Sequence, residues 1–425
     1  MTIFIFISSL LGTMALGMPI AFALLMASMA LMFLLDLFDA QILAQNLING
    51  ANSYPLLAVP FFLLAGELMN VGGLSRRVVD IAMSLMGHVR GGLGYVAIIA
   101  AVILASLSGS AVADTAALAA VLLPMMKKAG YDENRACGLI AAGGIIAPII
   151  PPSIGFIIFG VAGSVSITKL FMAGIVPGIL MGLSLFVAWW FLCRKESIKA
   201  GPRPSLKAVF KTLGDGFWAL MLPVIIIGGL RFGIFTPTEA GVVAAVYSLL
   251  ISIFIYHSIR WTELKRCFIS AAKTTSVVMF LVSAAMVVSW LITVAELPDE
   301  IIDLLGPFMD NPTVLLCVIL ALVLLIGMAM DFVPIILILT PVLMPVITAA
   351  GIDPVYFGVL FIMATSIGLI TPPVGTVLNT VAGVGKVKMD GVIVGVVPFI
   401  LALAAVMFLM VLFPSLVLVP ARWFS

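Results

Sequence analysis

The chain has 425 residues, of which 63% are hydrophobic and only 9% charged, and its formal net charge is +2. Long apolar runs recur along its whole length, so the composition indicates an integral membrane protein and excludes a soluble domain. The near balance of charges offers no basic face to nucleic acid. The four cysteines and two histidines show no metal-ligand spacing.

The first half begins with apolar runs near residues 2–16, 19–36 and 54–73, which we predict to be membrane spans in the bilayer. The first is expected to be retained, because it lacks the basic start of a cleaved signal peptide. The next apolar stretch, at about 91–128, is flanked by basic residues at both ends: His88, Arg90, Lys127 and Lys128. The positive-inside rule places both ends in the cytoplasm, so this stretch is predicted to be a re-entrant hairpin with the polar tip SLSGSAVAD.

A broken helix is predicted at about 134–163, because this stretch contains the motif APIIPPSIG. Adjacent prolines lack backbone donors and push the preceding residue out of helical geometry, so the helix must unwind within the membrane. A last span near 170–193 completes the first half, residues 1–193. The polar, basic stretch 194–213 is then predicted to be a cytoplasmic linker.

The second half, 214–425, repeats the first at a shift of 221 residues, which places Pro124 on Pro345 and Ser110 on Asp331. Its predicted elements are spans near 216–234, 238–257, 272–294 and 391–413, a hairpin at about 311–350 and a broken helix at about 354–384. The loop 127–135 is basic, whereas its counterpart 348–356 has no Lys or Arg, so the two loops are predicted on opposite membrane faces.

The sequence therefore predicts an all-α polytopic membrane protein. Each half contributes about five transmembrane helices plus one re-entrant hairpin, and the two halves form an inverted repeat. This arrangement is typical of secondary transporters, in which hairpin tips and unwound helices meet at a site near the bilayer midplane.

In such a site, Ser108, Gly109 and Ser110 face the first helix break, and Asp331 faces the second, TPPVGT. Carbonyl, hydroxyl and carboxylate oxygens are hard ligands that suit a sodium ion. A carboxylate at a helix centre costs about 2.5 to 3.5 kcal/mol on insertion scales, which makes Asp331 a functional candidate. For the serines, the alternative is that small residues only allow close helix packing.

Two further carboxylates lie within apolar sequence. Asp114 follows the first hairpin tip, and it either caps the start of the second arm or takes a direct part in the site. The sequence leaves both roles open. Glu67, in LLAGELMN, is expected to reach water from the inner end of its span.

Four motifs, GELMNVGG, SGSAVADTAAL, LLPMMKKAGYDENRA and APIIPPSIG, occur in an order and spacing that resemble the large membrane subunit of TRAP (tripartite ATP-independent periplasmic) transporters. The resemblance covers essentially the whole chain. It implies an elevator-type fold, in which a domain holding both hairpins and both broken helices slides against a scaffold. It also implies Na⁺-driven import of an organic acid, of the sialic acid or C4-dicarboxylate type, across a bacterial inner membrane. A sugar acid such as sialic acid is slightly preferred.

The partners that the resemblance implies are a small membrane subunit of four helices and a periplasmic substrate-binding protein. Carried over residue by residue, it assigns two sodium sites with a substrate site between them. The expected sodium-binding residues are Ser108, Gly109, Ser110, Pro151, Ser153, Gly327, Asp331, Thr371 and Gly375. The expected substrate-binding residues are Ser110, Pro152, Pro373 and Thr376.

Three other functions are weighed against this one. A stand-alone sodium/carboxylate symporter of the same architecture would need no binding protein. An intramembrane aspartyl hydrolase would pair Asp114 with Asp331, but neither residue lies in a paired-acid motif. A passive channel does not call for two hairpins that enter from opposite sides. We therefore expect a transporter rather than an enzyme.

Overall fold

The computed structural model describes residues 2–194, 200–201 and 203–424, and all regular elements in this part of the chain are helical. The helices of the first half are α1 (Thr2–Ala15), α2 (Ile20–Leu34), α3 (Ala40–Ala51), α4 (Ala58–Val71), α5 (Leu74–Met86), α6 (Gly92–Ser108), α7 (Ala111–Lys128), α8 (Glu133–Gly144), α9 (Ile154–Ala162) and α10 (Ile167–Cys193). A 3-10 helix, Tyr54–Leu57, precedes α4.

The helices of the second half are α11 (Leu206–Arg231), α12 (Pro237–Leu250), α13 (Trp261–Val294), α14 (Leu297–Met309), α15 (Pro312–Gly327), α16 (Phe332–Ala349), α17 (Pro354–Gly368), α18 (Thr376–Gly385), α19 (Met389–Leu412) and α20 (Ser415–Phe424). A π-helix, Ile251–Ile255, continues α12. The all-helical architecture predicted from the sequence is confirmed.

Within the described residues, seven helices are long and apolar enough to cross a membrane. They are Tyr54–Val71, Ile167–Cys193, Leu206–Arg231, Pro237–Ile255, Trp261–Val294, Phe332–Ala349 and Met389–Leu412. Further apolar helices have only 10–17 residues. A helix rises about 1.5 Å per residue, so the shortest of these cover about half of the ~30 Å hydrocarbon core. These helices indicate a multi-pass membrane protein.

Two helical hairpins occur where polar residues interrupt apolar sequence. Helices α6 and α7 are joined through Gly109, whose φ of +64° is a conformation that glycine adopts without a Cβ penalty. Helices α15 and α16 are joined through residues 328–331. The starts of α7 and α8, residues 111 and 133, become 332 and 354 when 221 is added, and these are the starts of α16 and α17.

Two interrupted helices complete the same region. Residues 145–153 separate α8 from α9, and residues 369–375 separate α17 from α18. Each gap contains a cis bond between adjacent prolines, Pro151–Pro152 and Pro372–Pro373. Helices α8 and α17 end at Gly144 and Gly368, four residues before Pro148 and Pro372, because a proline offers no N–H to the carbonyl four residues earlier.

The hairpins and interrupted helices of the two halves are interleaved. Helix α7 packs on α18 and α16 packs on α9, so the second arm of each hairpin contacts the interrupted helix of the other half. Helix α8 packs on α19, where a Cβ added to Gly138 would lie 2.5 Å from the carbonyl carbon of Gly395. Helices α2, α3, α4, α12 and α13 form a second group. In this group, α2, α3 and α4 pack on α13, and α12 packs on α4.

The structure differs from the sequence predictions in the continuity of some elements. The 34 residues of α13 form one helix, although only 272–294 was predicted as a span. In the first half, the equivalent stretch is divided into α3 and α4 by a segment that contains Pro55. The position 221 residues after Pro55 is Ser276, which has a backbone N–H and lets the helix continue.

Helix α11 begins at Leu206, inside the predicted linker 194–213, because the Ser205 hydroxyl accepts a hydrogen bond from the Ala208 amide at 3.2 Å and caps the helix. The linker residues 195–199 and 202 lie outside the described residues. Helices α5, α14 and α20 were not predicted from the sequence. Helices α5 and α14 each precede a hairpin, and α20 follows the last span.

Replacing Gly138 by alanine is expected to lower the free energy of unfolding by about 1 to 3 kcal/mol, because the added methyl group would overlap the Gly395 backbone. Gly228→Ala in α11 is the matched control, since a Cβ there would meet nothing within 4 Å. Thermal unfolding in detergent, followed by tryptophan fluorescence, measures both variants. Equal unfolding temperatures would contradict the close contact of α8 with α19.

Candidate functional site

One cavity of about 460 Å³ lies against both hairpin tips. On the hairpin side, it is lined by Ser108, Gly109, Ser110, Asp331 and Phe332. This side of the wall also contains Pro148 and Leu369, which lie within the two helix breaks, and Ile154, at the start of α9. Helices α4 and α13 form the opposite wall, which includes Glu67, Asn70 and Thr274. The cavity therefore lies between the interleaved hairpin region and the group around α13.

The first hairpin tip is held by a short chain of hydrogen bonds. The Ser108 hydroxyl donates to Asp114 Oδ1 at 2.5 Å, and the Ser110 amide donates to Ser108 Oγ at 3.1 Å. Asp114 is only 2% exposed and is not among the residues that line the cavity. The structure thus gives Asp114 an anchoring contact beneath the tip, one turn into α7, and leaves Ser110 on the cavity surface.

The same tip is seated on the first helix break. A Cβ added to Gly109 would lie 2.5 Å from the carbonyl oxygen of Pro152, so only glycine allows this approach. Ser153 is fully buried beside it. The Ser153 hydroxyl donates to the Pro148 carbonyl and accepts from the Phe156 amide, which caps α9. Backbone and hydroxyl oxygens of the break therefore lie next to those of the tip.

The second tip presents a carboxylate instead of a hydroxyl. Asp331 is exposed at the N-terminus of α16 and lines the cavity. Its side chain makes no capping hydrogen bond, whereas the Ser110 hydroxyl, at the equivalent position of α7, accepts one from the Ala113 amide. The Asp331 carboxylate is thus not used to cap its own helix.

The second tip also contacts the second helix break through the backbone. The Val374 amide donates to the Met328 carbonyl at 3.2 Å. A Cβ added to Gly327 would lie 3.1 Å from the Cα of Gly368, so the first arm of the hairpin packs closely on α17. Each hairpin tip is therefore seated on the helix break of its own half.

The remaining residues expected at the site lie behind or beside the cavity wall. The Thr371 hydroxyl donates to the Ile367 carbonyl at 2.7 Å, and Gly375 has a φ of +50° at the start of α18. Pro373 is exposed, and Thr376 is half-buried, with a buried hydroxyl oxygen that makes no hydrogen bond within the described part of the chain. Of the residues expected at the site from the sequence, those that do not line the cavity are Pro151, Pro152, Ser153, Gly327, Thr371, Pro373, Gly375 and Thr376.

The cavity has an unusual charge balance for a site that is expected to hold an anion. Its ionisable residues are Glu67 and Asp331, and no Lys, Arg or His is part of its lining. Three helices, α7, α9 and α16, begin at the cavity, and their N-terminal amides carry partial positive charge. A carboxylate here would be stabilised by helix ends and by a bound cation rather than by a basic side chain.

The wall formed by α4 and α13 was missed by the sequence reasoning. Glu67 was expected to reach water, but it lines the cavity and accepts a hydrogen bond from the Ser270 hydroxyl at 2.7 Å. Asn70, three residues later and on the same helix face, also lines the cavity, and its Oδ1 accepts from Ser75 at 2.6 Å. The sequence signal that could have identified this wall is Glu67 itself, an ionisable residue within a predicted span.

Comparisons with known proteins identify the family. A family model described as "Tripartite ATP-independent periplasmic transporter, DctM component" matches residues 7–416. The 2,3-diketo-L-gulonate TRAP transporter large permease protein of Escherichia coli (strain K12) is 56% identical over 425 residues, which cover 100% of both chains. The sialic acid TRAP transporter large permease protein of Vibrio cholerae is 38% identical and covers 96% of both chains.

Two further similarities have lower identity. The C4-dicarboxylate TRAP transporter large permease protein of Pseudomonas aeruginosa is 36% identical, covering 90% of this chain and 89% of its own. The crystal structure of the YdaH transporter of Alcanivorax borkumensis superposes with a TM-score of 0.64 at 16% identity, covering 88% of this chain and 89% of that chain. At this identity, the likeness to YdaH shows the fold alone.

Gly109→Ala is expected to unseat the first hairpin tip, because the added methyl group would meet the Pro152 carbonyl oxygen. Gly130→Ala is the matched control: its φ of +81° is also left-handed, but a Cβ there meets nothing within 4 Å. Each variant carries a left-handed penalty of about 1 to 2 kcal/mol. Replacing potassium chloride by sodium chloride is expected to raise the unfolding temperature of Gly130→Ala but not of Gly109→Ala. Equal sodium responses would show that the tip is not part of a sodium site.

Proposed function

This chain belongs to the DctM component family of tripartite ATP-independent periplasmic transporters, and from that membership we propose that it is the large subunit of a sodium-coupled importer of an organic acid. The family is one of transporter permeases, so the chain is not an enzyme, and the intramembrane hydrolase is excluded. The observation that carries the proposal is one cavity. Both hairpin tips line it, together with residues from both helix breaks.

We propose that sodium couples to transport at both tips. In the first site, the ligands come from Ser108, Gly109, Ser110, Pro151 and Ser153, and in the second from Gly327, Asp331, Thr371 and Gly375. Two observations support this assignment. The Asp331 carboxylate is not used to cap its own helix. The cavity has no basic side chain in its lining, so an anionic substrate needs a cation bound nearby.

The proposed substrate is an organic acid bound against Ser110 and the N-termini of α7, α9 and α16. Pro152, Pro373 and Thr376 do not line the cavity, so their contact with substrate requires the hairpin tips to move. A sugar acid of the diketogulonate kind is the favoured substrate. The relative named for 2,3-diketo-L-gulonate is 56% identical to this chain, against 38% for the one named for sialic acid and 36% for the one named for C4-dicarboxylates.

We further propose an elevator mechanism with inverted repeats. The interleaved hairpins and interrupted helices would move as one body against the group of α2, α3, α4, α12 and α13. In support, the cavity has one wall from each group, so such a movement would carry the tips past the wall that contains Glu67. Sodium would order the tips first and thereby favour the state that binds substrate.

The proposed assembly contains a small membrane subunit of four helices and a periplasmic substrate-binding protein, in the inner membrane of a bacterium. These partners follow from the three-part nature of the family, of which this chain is the DctM component. The relatives that cover the full length of this chain are named as large permease proteins of the same kind of transporter.

Uptake into proteoliposomes that contain this chain and its small subunit is expected to require both an inward sodium gradient and a loaded binding protein. The measurement uses radiolabelled 2,3-diketo-L-gulonate, sialic acid and succinate in parallel, with potassium in place of sodium as the control. Uptake that needs only the gradient would show a stand-alone sodium/carboxylate symporter. Substrate movement that is independent of both, with sustained single-channel currents, would show a channel.

Asp331→Asn is expected to raise the sodium concentration for half-maximal uptake about tenfold, equivalent to about 1.4 kcal/mol, because the amide removes the charge that attracts the ion. Asp310→Asn is the matched control, since Asp310 is also an exposed aspartate next to a helix end but does not line the cavity. Docking of the binding protein is expected to be unchanged in both variants. Equal loss of sodium dependence and docking in Asp331→Asn would contradict the proposed role.

A further inference from the structure

A second cavity, of about 710 Å³, lies away from the proposed transport site. It is formed by the start of α5, by α11 and by the residues that follow α12. The charged and aromatic residues that line it are Arg76, Arg77, Asp80, Asp215, Trp218 and Tyr256. None of these residues lines the cavity at the hairpin tips.

Three chain segments that the sequence places at the cytoplasmic membrane boundary meet in this second cavity. The predicted span 54–73 ends just before Arg76, the span 216–234 starts just after Asp215, and the span 238–257 ends at Tyr256. The basic residues near these ends place the cavity at the level of the cytoplasmic lipid headgroups. A polar cavity at that depth faces headgroups rather than acyl chains.

The lining has two positive and two negative side chains. Arg76 and Arg77 belong to α5, whereas the carboxylates come from α5 and from α11, in Asp80 and Asp215. A purely anionic headgroup would meet the arginines but would also face both carboxylates. A headgroup that carries a phosphate and an ammonium group can pair with both kinds of side chain, and arginine is well suited to phosphate oxygens.

The cavity wall is already held in place by protein contacts. The Arg77 guanidinium lies over the Tyr256 ring, 3.5 Å from its centroid, and also donates to the Gly73 carbonyl at 3.0 Å. The Tyr256 hydroxyl donates to the Asp215 carbonyl at 3.0 Å, which joins the end of α12 to α11. Helix α5 has no side-chain cap at Gly73, so its first amides add partial positive charge at the arginine end.

One exposed aromatic side chain lines the cavity, and two others are next to lining residues in the sequence. Trp218, in the lining, is 39% exposed, and Phe217 and Phe254, which precede the lining residues Trp218 and Ile255, are 48% and 67% exposed. Tryptophan and tyrosine are enriched at membrane interfaces, where a ring contacts the upper acyl chain and its polar atom reaches water. We propose that this cavity binds a membrane phospholipid with a phosphoethanolamine headgroup. Its phosphate lies at Arg76 and Arg77, its ammonium at Asp80 and Asp215, and its acyl chains lie along the exposed aromatic rings.

Native mass spectrometry of the full chain, released from detergent containing equal amounts of phosphatidylethanolamine and phosphatidylglycerol, tests this site. The wild type is expected to retain phosphatidylethanolamine over phosphatidylglycerol. Arg76→Gln is expected to lower the retention of both lipids about fivefold. Asp215→Asn is expected to reduce only phosphatidylethanolamine and to abolish the preference. Lys211→Gln is the matched control, because Lys211 is exposed one turn before Asp215 and does not line the cavity.

Each variant is first checked for a single symmetrical peak in size-exclusion chromatography, so that lost lipid is not confused with lost folding. Stronger retention of phosphatidylglycerol would overturn the zwitterion assignment. Retention in Arg76→Gln and Asp215→Asn that equals retention in Lys211→Gln would overturn the site itself. Soluble glycerophosphoethanolamine is added in a further arm. If it displaces the lipid at equal concentration, the ligand is a soluble headgroup and the lipid assignment is wrong.

Discussion

The structure depends on one constraint, which is that backbone polar groups inside a membrane must find partners within the protein. Each helix break contains two adjacent prolines and leaves carbonyl groups without helical partners. In both halves, a hairpin tip lies on the break: Gly109 lies against the Pro152 carbonyl, and the Met328 carbonyl accepts from the Val374 amide. The unwound backbone is thus covered by protein while its oxygens remain close to a cavity, where an ion can use them.

The interleaving of the two halves explains why a single cavity serves both tips. Helix α7 packs on α18 and α16 packs on α9, so each hairpin contacts the interrupted helix of the other half. These contacts connect the two tips through packed helices. The cavity has no basic side chain in its lining, so an anion there would face helix N-termini. In the proposed mechanism, the coupling ion would therefore contribute to the affinity for substrate as well as to the driving force.

Local sequence features predicted part of this arrangement. Paired prolines predicted that the helices at about 134–163 and 354–384 are interrupted, and the polar tip SLSGSAVAD predicted the turn at Gly109. Residues whose role depends on packing between distant helices were not predictable in this way. Glu67 was expected to reach water from the inner end of its span, and only the structure shows that it lies opposite the tips, beside Ser270. Pro373 and Thr376 were expected at the substrate because of their motif, and neither is part of the cavity lining.

The contact between α7 and α18 also has a consequence for how the protein is made. Helix α7 ends at residue 128 and α18 starts at residue 376, so 247 residues are synthesised between them. At a synthesis rate of about 5 to 20 residues per second, α18 is made roughly 12 to 50 s after α7. During that interval, the polar groups of the tip already have their partners within the first half, because Ser108 donates to Asp114 and Gly109 lies against the Pro152 carbonyl. The face of α7 that packs on α18 has no protein partner from the second half until that half is made.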